Sequence, residues 1–423
     1  MESTKREREP RCRICAGSVR ACLDLGQQPV SNTFPRSAAE DAGPRFRLAM
    51  GVCTSCTMVQ QLEEVPAASM FGEEYPFRTS SSALMGDHFR ATARRLVREE
   101  ARSPDPLFVE IGCNDGTLLQ EVAAAGVRHL GVDPSGGAAV VAESAGVRVM
   151  VDYFGEATAG TVRDLHGEAD VVYSANTVSH VAPIDDVFRG LDVLLARDGV
   201  LVLEDRYLAD IVEGTYFDQV YDEHFYLFSV RSVGALAARF GFELVDAEHL
   251  GVHGGSVRYT VARRGRRRVS PVVEAMLARE RVLGLDDPET YVRFGRRVEG
   301  IRDGLVELLR DLRGRGASVV GYGATSKSAT VLNYCGIGPE LVPFVCDSTP
   351  GKQGRMTPGT RIPIRAPEAF VPHPDYALLF AWNHADEIMA KERAFTEGGG
   401  RWITYVPEVR VSGGIGSVGP AGG

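Results

Sequence analysis

The chain has 423 residues, of which 44% are hydrophobic and 24% charged, and its formal net charge is -9 at pH 7. This length exceeds one ordinary core and predicts two or three globular domains. The acidic balance argues against general binding to nucleic acid or to an anionic membrane. The basic run at residues 263–268 is interpreted as a solvated linker.

The sequence contains no run of about 18 uncharged apolar residues. Its first residues are charged where a signal peptide needs an apolar core. A cytoplasmic protein is therefore expected, with its eight cysteines reduced. In such a compartment, clustered cysteines are expected to bind metal rather than to form disulfides.

Four of the cysteines form two Cys-x-x-Cys pairs, Cys12 with Cys15 and Cys53 with Cys56. Each pair places two thiolates on one side of a tight turn, and the two pairs together predict a tetrahedral zinc site. Because four thiolates leave no open position, the zinc is expected to be structural. Glycine and proline in residues 23–32 predict a loop between the pairs. A nucleic-acid-binding zinc module is the alternative, but interleaved basic and aromatic residues are missing.

An aromatic and hydroxyl-rich connector follows at residues 71–82. It contains Tyr75, Phe77 and Ser80, and a helix is predicted after it. The connector either packs against the fold or closes over a sugar. Tyr75 offers a phenol that can donate or accept a proton.

Strands alternate with helices from residue 107 onward. The sequence predicts an apolar strand that carries Glu110, a glycine-rich turn, and a second strand that ends in Asp133. Glycines allow a close approach of the backbone to a ligand, and an acid at that place accepts hydrogen bonds from ribose hydroxyls. NAD and S-adenosylmethionine both fit this arrangement.

The glycine pattern distinguishes the two cofactors. A dinucleotide site requires Gly-x-Gly-x-x-Gly, and the run from Gly112 to Gly116 lacks that order. The sequence Glu110-Ile111-Gly112 is similar instead to the first motif of class I methyltransferases, which implies S-adenosylmethionine. The residues expected to bind this cofactor are Glu110, Gly112, Asn114, Asp133, Asp152, Tyr153, Phe154, Asn176 and His180.

The segment from Tyr221 to Ser229 combines a phenol, two carboxylates and an imidazole with large apolar residues. This mixture is typical of a partly dry pocket that holds a proton-transfer group. A surface histidine beside acids at a helix start is the alternative interpretation. Its position after the cofactor half favours a role in catalysis.

A third region begins after the polar stretch at residues 263–270. Apolar residues recur at helical spacing from Tyr291 to Leu312 and predict one long helix. A strand, a glycine turn at Gly321 to Ala324 and a second strand that ends in Asp347 then indicate a second Rossmann-like half. The amides of the turn, with Lys327 nearby, predict an anion site.

Several motifs together resemble one known family. They are the two Cys-x-x-Cys pairs, Tyr75-Pro76, Glu110 to Gly116, Tyr221-x-Glu223-His224, His253 to Arg258, Gly321 to Ala324 and Lys352 to Arg355. In these motifs, the chain resembles the sugar C-methyltransferases of bacterial deoxysugar pathways. Those enzymes methylate C-3 of a nucleoside-diphosphate 4-keto sugar. The resemblance implies S-adenosylmethionine as methyl donor, a structural zinc, and a TDP-linked 4-keto-(2,)6-deoxy sugar of antibiotic biosynthesis. The implied substrate-binding residues are Tyr75, Phe77, Ser80, His253, Arg258, Tyr322, Lys327, Asp347, Lys352 and Arg355.

The implied reaction needs a base for the C-3 proton and a donor to the 4-oxygen. His224 is the expected base, because imidazole titrates close to physiological pH. Glu223 orients or assists it, and the order of residues leaves open which of the two takes the proton. Tyr221 or Tyr75 is the expected donor.

The predicted fold is α/β. It comprises a zinc-binding module at residues 1–80, a class I Rossmann-like methyltransferase domain at 81–268, a Rossmann-like nucleotide-sugar domain at 269–411 and a flexible tail at 412–423. We expect a monomer or weak homodimer without nucleic-acid or membrane partners. The alternative function is an NADPH-dependent 4-ketoreductase, alone or combined with C-methylation, although both glycine turns lack the dinucleotide pattern.

Overall fold

The computed structural model describes residues 10–37, 39–40, 43–70 and 78–412. The chain divides into two units that are each built from separate segments. The first unit lies within Met1–Cys22, Met50–Ala209 and Glu223–Thr290. The second unit lies within Leu23–Ala49, Asp210–Asp222 and Tyr291–Gly423. The predicted boundaries at residues 80, 268 and 411 stay predictions.

Strands and helices follow one another along most of the described chain. The strands are β1 (Val19–Pro29), β2 (Arg45–Cys53), β3 (Val59–Gln61), β4 (Leu107–Ile111), β5 (Arg128–Val132), β6 (Val149–Met150), β7 (Ala169–Ala175), β8 (Leu195–Arg206), β9 (Tyr226–Leu227), β10 (Phe242–Leu250), β11 (Ser256–Arg263), β12 (Val319–Tyr322), β13 (Val345–Cys346), β14 (Ile364–Arg365), β15 (Tyr376–Leu379), β16 (Arg401–Thr404) and β17 (Arg410–Ser412). The helices are α1 (Ala67–Met70), α2 (Ala83–Glu100), α3 (Thr117–Ala124), α4 (Gly136–Ser144), α5 (Glu156–His166), α6 (Ile184–Leu194), α7 (Leu208–Glu213), α8 (Val230–Arg239), α9 (Pro271–Leu283), α10 (Pro288–Gly314), α11 (Ser326–Cys335), α12 (Ala385–Lys391) and α13 (Arg393–Glu397).

The first unit contains a seven-stranded sheet in the order β10-β11-β8-β7-β4-β5-β6. Strands β8, β7, β4, β5 and β6 are parallel, and β10 and β11 add an antiparallel edge. Every residue of β4 is buried, as expected for a central parallel strand covered on both faces. Phe108 and Tyr173 are among the buried side chains of this core. The predicted Rossmann-like methyltransferase domain is confirmed.

The second unit contains a six-stranded sheet in the order β14-β13-β12-β15-β16-β17. All neighbouring pairs are parallel except β16 and β17. Phe370, Phe395 and Trp402 pack in its core. The predicted long helix is also present as α10. This sheet is the predicted second Rossmann-like half.

A four-stranded sheet in the order β1-β2-β3-β9 corrects one prediction. Residues 23–32 were expected to form a loop, but β1 continues through Pro29. The reason is tertiary, because pairing with β2 satisfies the backbone of a segment that also contains Gly26. That glycine has φ 71°, and its amide donates a hydrogen bond to Asp24 Oδ1 at 3.0 Å. The expectation of a loop from residue 23 was wrong.

Two further predictions concern the ends and the surroundings of the chain. The predicted flexible tail lies outside the described residues beyond Ser412. Within the ranges that the structure describes, we find no helix with the length and apolar character needed to cross a membrane.

Candidate active site

The four paired cysteines come together in the first unit. Their sulfur atoms all lie within 4.8 Å of one another. The Sγ atoms of Cys12 and Cys56 are 3.6 Å apart, and those of Cys15 and Cys53 are 3.4 Å apart. Zinc–sulfur bonds of about 2.3 Å in a tetrahedron separate the sulfurs by about 3.8 Å. The cluster therefore fits the predicted structural zinc.

The backbone around these cysteines is shaped for sulfur ligands. The amides of Ile14 and Ser55 donate hydrogen bonds to the sulfurs of Cys12 and Cys53, each at 3.3 Å. A Cβ atom at Gly17 would lie 3.2 Å from the sulfurs of both Cys15 and Cys53. A side chain at this position would therefore press on the two sulfurs of the cluster.

The predicted cofactor turn follows β4 in the first unit. Gly112 and Asn114 have φ values of 74° and 49°. Asp133, after β5, accepts hydrogen bonds from the amides of Asn114 and Ser135, each at 2.8 Å. A Cβ atom at Gly112 would lie 2.2 Å from Thr177 Oγ1. The carboxylate of Asp133 therefore holds the turn in place. Thr177, in the segment after β7, lies close to the backbone of Gly112.

Glu110 lies beneath this turn and is buried. Its Oε2 atom has no hydrogen-bond partner among the described residues. Burial raises the pKa of Glu110 well above its ordinary value, and the charges of Asp133 and Asp115 add to the effect. A positively charged ligand at this place would oppose the rise, because a nearby opposite charge favours the ionised form of a carboxyl group.

The other predicted cofactor residues differ in their accessibility. Asp152 Oδ2 accepts a hydrogen bond from Thr158 Oγ1 at 3.1 Å. Residue Tyr153 is 49% exposed, whereas Phe154 is buried. Of the two rings, only that of Tyr153 is accessible for stacking on an adenine.

Two predicted cofactor residues follow β7. Asn176 has φ 50°, and its Oδ1 atom accepts a hydrogen bond from Arg206 Nη1 at 3.2 Å. The ring of His180 stacks on that of His224, with centroids 5.0 Å apart and planes at 29°. Burial, with the charge of Arg206, lowers the pKa of His180 to about 3. The structure thus places His180, in its neutral form, beside the predicted base His224.

The predicted base belongs to a buried part of the first unit. The side chains of Glu223 and His224 are 2% and 0% exposed. Gln61 Nε2 donates a hydrogen bond to the carbonyl of His224 at 2.9 Å, and the amide of Phe225 donates to Ser179 O at 2.9 Å. The alternative interpretation of a surface histidine is therefore wrong.

The two residues before Glu223 belong to the second unit. Tyr221 is buried, and Asp222 Oδ1 accepts a hydrogen bond from the amide of Ser31 at 3.2 Å. Burial raises the pKa of Asp222 to about 6. The predicted catalytic segment thus crosses the boundary between the units.

The aromatic connector is described only in part. Tyr75 and Phe77 lie outside the described residues. The amide of Ser80 donates a hydrogen bond to Asp115 Oδ2 at 2.9 Å, and that of Thr79 donates to Asn114 Oδ1 at 3.1 Å. The described end of the connector therefore lies against the cofactor turn.

Arg258 and His253 were implied as substrate ligands. Arg258 is buried, and its Nε atom donates to Glu204 Oε1 at 2.7 Å. Its Nη1 and Nη2 atoms donate to Glu248 Oε2 at 2.8 Å and to Thr92 Oγ1 at 2.6 Å. His253 occupies a turn with φ 57°. In the structure, Arg258 is the centre of an ionic network, and a substrate role for it stays a prediction.

An aspartate holds the predicted anion turn of the second unit in the same way as Asp133 holds the cofactor turn of the first unit. Asp347 Oδ2 accepts a hydrogen bond from the amide of Ala324 at 2.7 Å, and Oδ1 accepts one from the amide of Thr349 at 2.7 Å. Gly323 has φ 90°, and α11 begins at Ser326. Both glycine turns are thus fixed by an acid that follows the next strand.

Three of the implied substrate residues are cationic and belong to the second unit. Lys352 Nζ donates to Ala324 O at 2.9 Å and lies 5.2 Å from the ring centre of Phe34. Arg355 Nη1 donates to Phe34 O at 3.4 Å. Lys327 Nζ donates to Asn383 Oδ1 at 2.6 Å. Of the three cationic side chains, Lys352 therefore contacts the predicted anion turn itself.

Tyr322 is placed differently from the other implied substrate residues. Its ring packs edge-on against Phe370 and Trp402, with centroids 5.2 and 5.5 Å apart. Its hydroxyl donates to Glu392 Oε1 at 2.6 Å. The surroundings are those of a core residue, and its substrate role stays a prediction.

The sequence interpretation overlooked two residues next to His180. Asp205 is buried and accepts a hydrogen bond from the amide of Arg206 at 2.8 Å. Arg206 Nη1 lies 3.9 Å from Asp205 Oδ1. One signal was available, since Glu204-Asp205-Arg206 is a charged run at the carboxyl end of an apolar strand, where α/β folds place ligands.

The fold and the cofactor turn of the first unit define a SAM-dependent methyltransferase. Three family models match the chain: a candidate zinc binding domain at residues 12–71, a methyltransferase domain at 86–247 and a C-methyltransferase C-terminal domain at 251–407. C-methyltransferase NovU from Streptomyces niveus is 35% identical over 405 residues, which cover 95% of this chain and 96% of that protein. The chain belongs to the C-methyltransferase family and is a SAM-dependent C-methyltransferase.

Other similarities cover less of the chain. Ubiquinone biosynthesis O-methyltransferase from Azorhizobium caulinodans is 36% identical over 119 residues, or 26% of this chain and 46% of that protein. Magnesium protoporphyrin IX methyltransferase from Synechocystis PCC 6803, solved with bound SAH, is 16% identical with a TM-score of 0.34. The match covers 42% of this chain and 83% of that protein.

Proposed function

We propose that this enzyme methylates C-3 of a TDP-linked 4-keto-6-deoxy or 4-keto-2,6-dideoxy sugar, in the biosynthesis of an antibiotic sugar. The observation that carries the proposal is the buried imidazole of His224, stacked on His180 in the methyltransferase unit. Methylation of carbon requires removal of a proton from carbon, and a neutral imidazole suits that step. Membership of the C-methyltransferase family supports a carbon acceptor.

The 4-keto group makes the C-3 proton removable. Loss of that proton gives an enolate whose negative charge is shared with the 4-oxygen. We assign the base to His224, because the unperturbed imidazole titrates closer to physiological pH than a carboxylate does. Glu223 is proposed to orient the ring and to stabilise the imidazolium that forms, as an acid beside a catalytic histidine does. Glu223 as the base itself is the alternative that a separate variant tests.

S-adenosylmethionine supplies an electrophilic methyl group when it is bound. The bond between C-3 and hydrogen breaks, and its proton moves to His224. The electron pair then forms the new bond from C-3 to the methyl carbon, and S-adenosylhomocysteine leaves. Tyr221 and Tyr75 are the proposed donors to the 4-oxygen, where negative charge develops.

The cofactor turn supports binding of a cationic methyl donor. Glu110, Asp115 and Asp133 gather three carboxyl groups at the turn, and a cationic ligand would favour their ionised forms. Gly112 lets the backbone approach closely, and Tyr153 offers an accessible ring for the adenine. These residues are the proposed S-adenosylmethionine site.

The second unit supports binding of the nucleotide diphosphate. Amides at a helix start attract anions, and α11 begins directly after the braced turn. Positive charge in this unit comes from Lys352 at the carbonyl of Ala324, Lys327 in α11 and Arg355 at the carbonyl of Phe34. We propose that they hold the diphosphate of the TDP-linked sugar.

No feature of the described residues favours the ketoreductase alternative. Both glycine turns lack the order that seats a dinucleotide pyrophosphate, and NovU and the ubiquinone biosynthesis enzyme are both methyltransferases. NADPH consumption with a keto sugar is the observation that would revive it.

The proposal is tested by mass spectrometry with a panel of TDP-linked 4-keto sugars and S-adenosylmethionine. The expected product from at least one sugar is heavier by one methyl group, which is located at C-3. His224→Asn is expected to abolish the product while His166→Asn, at the end of α5, retains it. Failure of the wild-type enzyme to methylate any 4-keto sugar would overturn the proposal.

A further inference from the structure

A buried carboxylate in the second unit has no role in the reaction described so far. Asp218 lies in the 3-10 turn Phe217–Gln219 and is 0% exposed. Its Oδ2 atom accepts hydrogen bonds from Trp382 Nε1 and from the hydroxyl of Tyr405, both at 2.6 Å. Its Oδ1 atom has no hydrogen-bond partner among the described residues. Because a buried carboxylate is costly to retain, its presence requires an explanation.

The indole that Asp218 holds is in contact with a cation of the proposed phosphate site. Lys327 Nζ lies 5.0 Å from the ring centre of Trp382 and donates to Asn383 Oδ1 at 2.6 Å. The ring of Tyr216 stacks on the same indole, with centroids 4.4 Å apart. The indole is thus fixed by a hydrogen bond at its edge and by a ring on its face.

The electrostatics agree with this arrangement. Burial raises the pKa of Asp218, and the nearby charge of Lys327 opposes that rise. Lys327 is the second residue of α11, where the backbone amides already favour an anion. A lysine side chain is long and flexible, so an ammonium held in one place loses less freedom when it binds phosphate.

We propose that Asp218 is a positioning residue, which fixes the indole of Trp382 so that Lys327 is held for the diphosphate of the substrate. This inference rests on the proposed function, because it takes the diphosphate to be the ligand of Lys327. Asp218 itself does not touch the substrate. Loss of the hydrogen bond to Trp382 should therefore weaken phosphate recognition and leave the chemical step unchanged.

Two ligands that differ only in the diphosphate test this role. Trp382→Phe removes the indole N–H group but retains a ring for Lys327. Its affinity for TDP, measured by calorimetry, is expected to fall about 10-fold, because Lys327 would then lose its freedom only when it binds the diphosphate. Its affinity for thymidine is expected to stay unchanged. Asp218→Leu, which leaves no acceptor for the indole N–H group, should give the same pattern, with a higher KM for the TDP-sugar and an unchanged kcat.

Tyr405→Phe is the matched control, since it deletes the other hydrogen bond to Asp218 Oδ2 and should leave TDP affinity unchanged. If Asp218→Leu fails to fold, Trp382→Phe carries the test alone. Wild-type TDP affinity in Trp382→Phe would show that Asp218 is a structural counter-ion only. Equal losses for TDP and thymidine would show that Trp382 recognises the base instead. Absence of TDP binding by the wild-type enzyme would contradict the proposed function as well.

Discussion

The imidazole rings of His180 and His224 stack in the first unit with their centroids 5.0 Å apart. The pKa of His180 is lowered to about 3 by burial and by the charge of Arg206. A neutral His180 exerts no charge repulsion when His224 takes a proton from the substrate. This pairing makes His180 part of the surroundings of the base, in addition to its predicted contact with the cofactor.

The lowered pKa of His180 predicts a pH-dependent contribution to stability. The unfolded histidine titrates near 6.5 and the folded one at about 3, so the unfolded chain binds more protons between these values. The free energy of unfolding should therefore fall as the pH decreases through this window. His180→Asn should show a smaller fall in urea denaturation series. If the free energy of unfolding depends equally on pH in the two proteins, His180 is protonated in the folded enzyme over this pH range.

The cysteine cluster predicts a bound structural metal. Purified enzyme should contain zinc, and Cys12→Ser should lose it and unfold at a lower Tm, because metal binding contributes folding free energy. Cys22→Ser is the control, since Cys22 lies outside the cluster. Elemental analysis and thermal unfolding provide the two readouts. Full zinc content in Cys12→Ser would contradict the ligand assignment.

The network around Arg258 predicts a stability effect. Burial raises the pKa of Glu204, but the hydrogen bond from His88 and the charge of Arg258 bring it below its ordinary value. Arg258→Ala would leave Glu204 buried without its counter-ion, and we expect a loss of about 3–5 kcal/mol in unfolding free energy. Arg90→Ala, which removes a pair with exposed Asp87, should cost about 0–1 kcal/mol. Similar losses in the two variants would argue against a buried ionic network.

The cofactor turn predicts a steric effect at Gly112. Alanine there would place Cβ 2.2 Å from Thr177 Oγ1, in addition to a φ of 74°. We expect S-adenosylmethionine affinity to fall at least about 10-fold, because small displacements of a binding site are costly. Gly126→Ala shares the φ of 74° but meets no atom within 4 Å, so its cofactor affinity should be unchanged. Calorimetry distinguishes the two variants. Unchanged S-adenosylmethionine affinity in Gly112→Ala would show that the turn is not part of the cofactor site.

The features predicted correctly from the sequence are those encoded by neighbouring residues. The spacing of Cys12 with Cys15 and of Cys53 with Cys56 predicted a cluster that the structure contains. Apolar strands followed by glycine turns predicted both Rossmann-like halves. In each case the chemistry lies within a few residues of chain, so local patterns are sufficient.

The features that were missed depend on distant contacts. The strand through residues 23–29 is stabilised by pairing with β2, which overrides its own loop-like composition. The role proposed for Asp218 depends on its hydrogen bond with Trp382, which lies 164 residues later in the chain. The hydrogen bonds of Arg258 to Thr92, Glu204 and Glu248 were likewise not visible in its motif, and its substrate role stays a prediction. Sequence patterns do not show which distant side chains satisfy a buried charge.

Exchange of the C-3 proton with solvent tests the role of His224 most directly. The enzyme would be incubated in deuterated water with a TDP-4-keto sugar that it methylates, with S-adenosylhomocysteine in place of the methyl donor. We expect deuterium at C-3 with wild-type enzyme and with Glu223→Gln at a reduced rate, and none with His224→Asn. Deuterium incorporation by His224→Asn at the wild-type rate would contradict the assignment of His224 as the base.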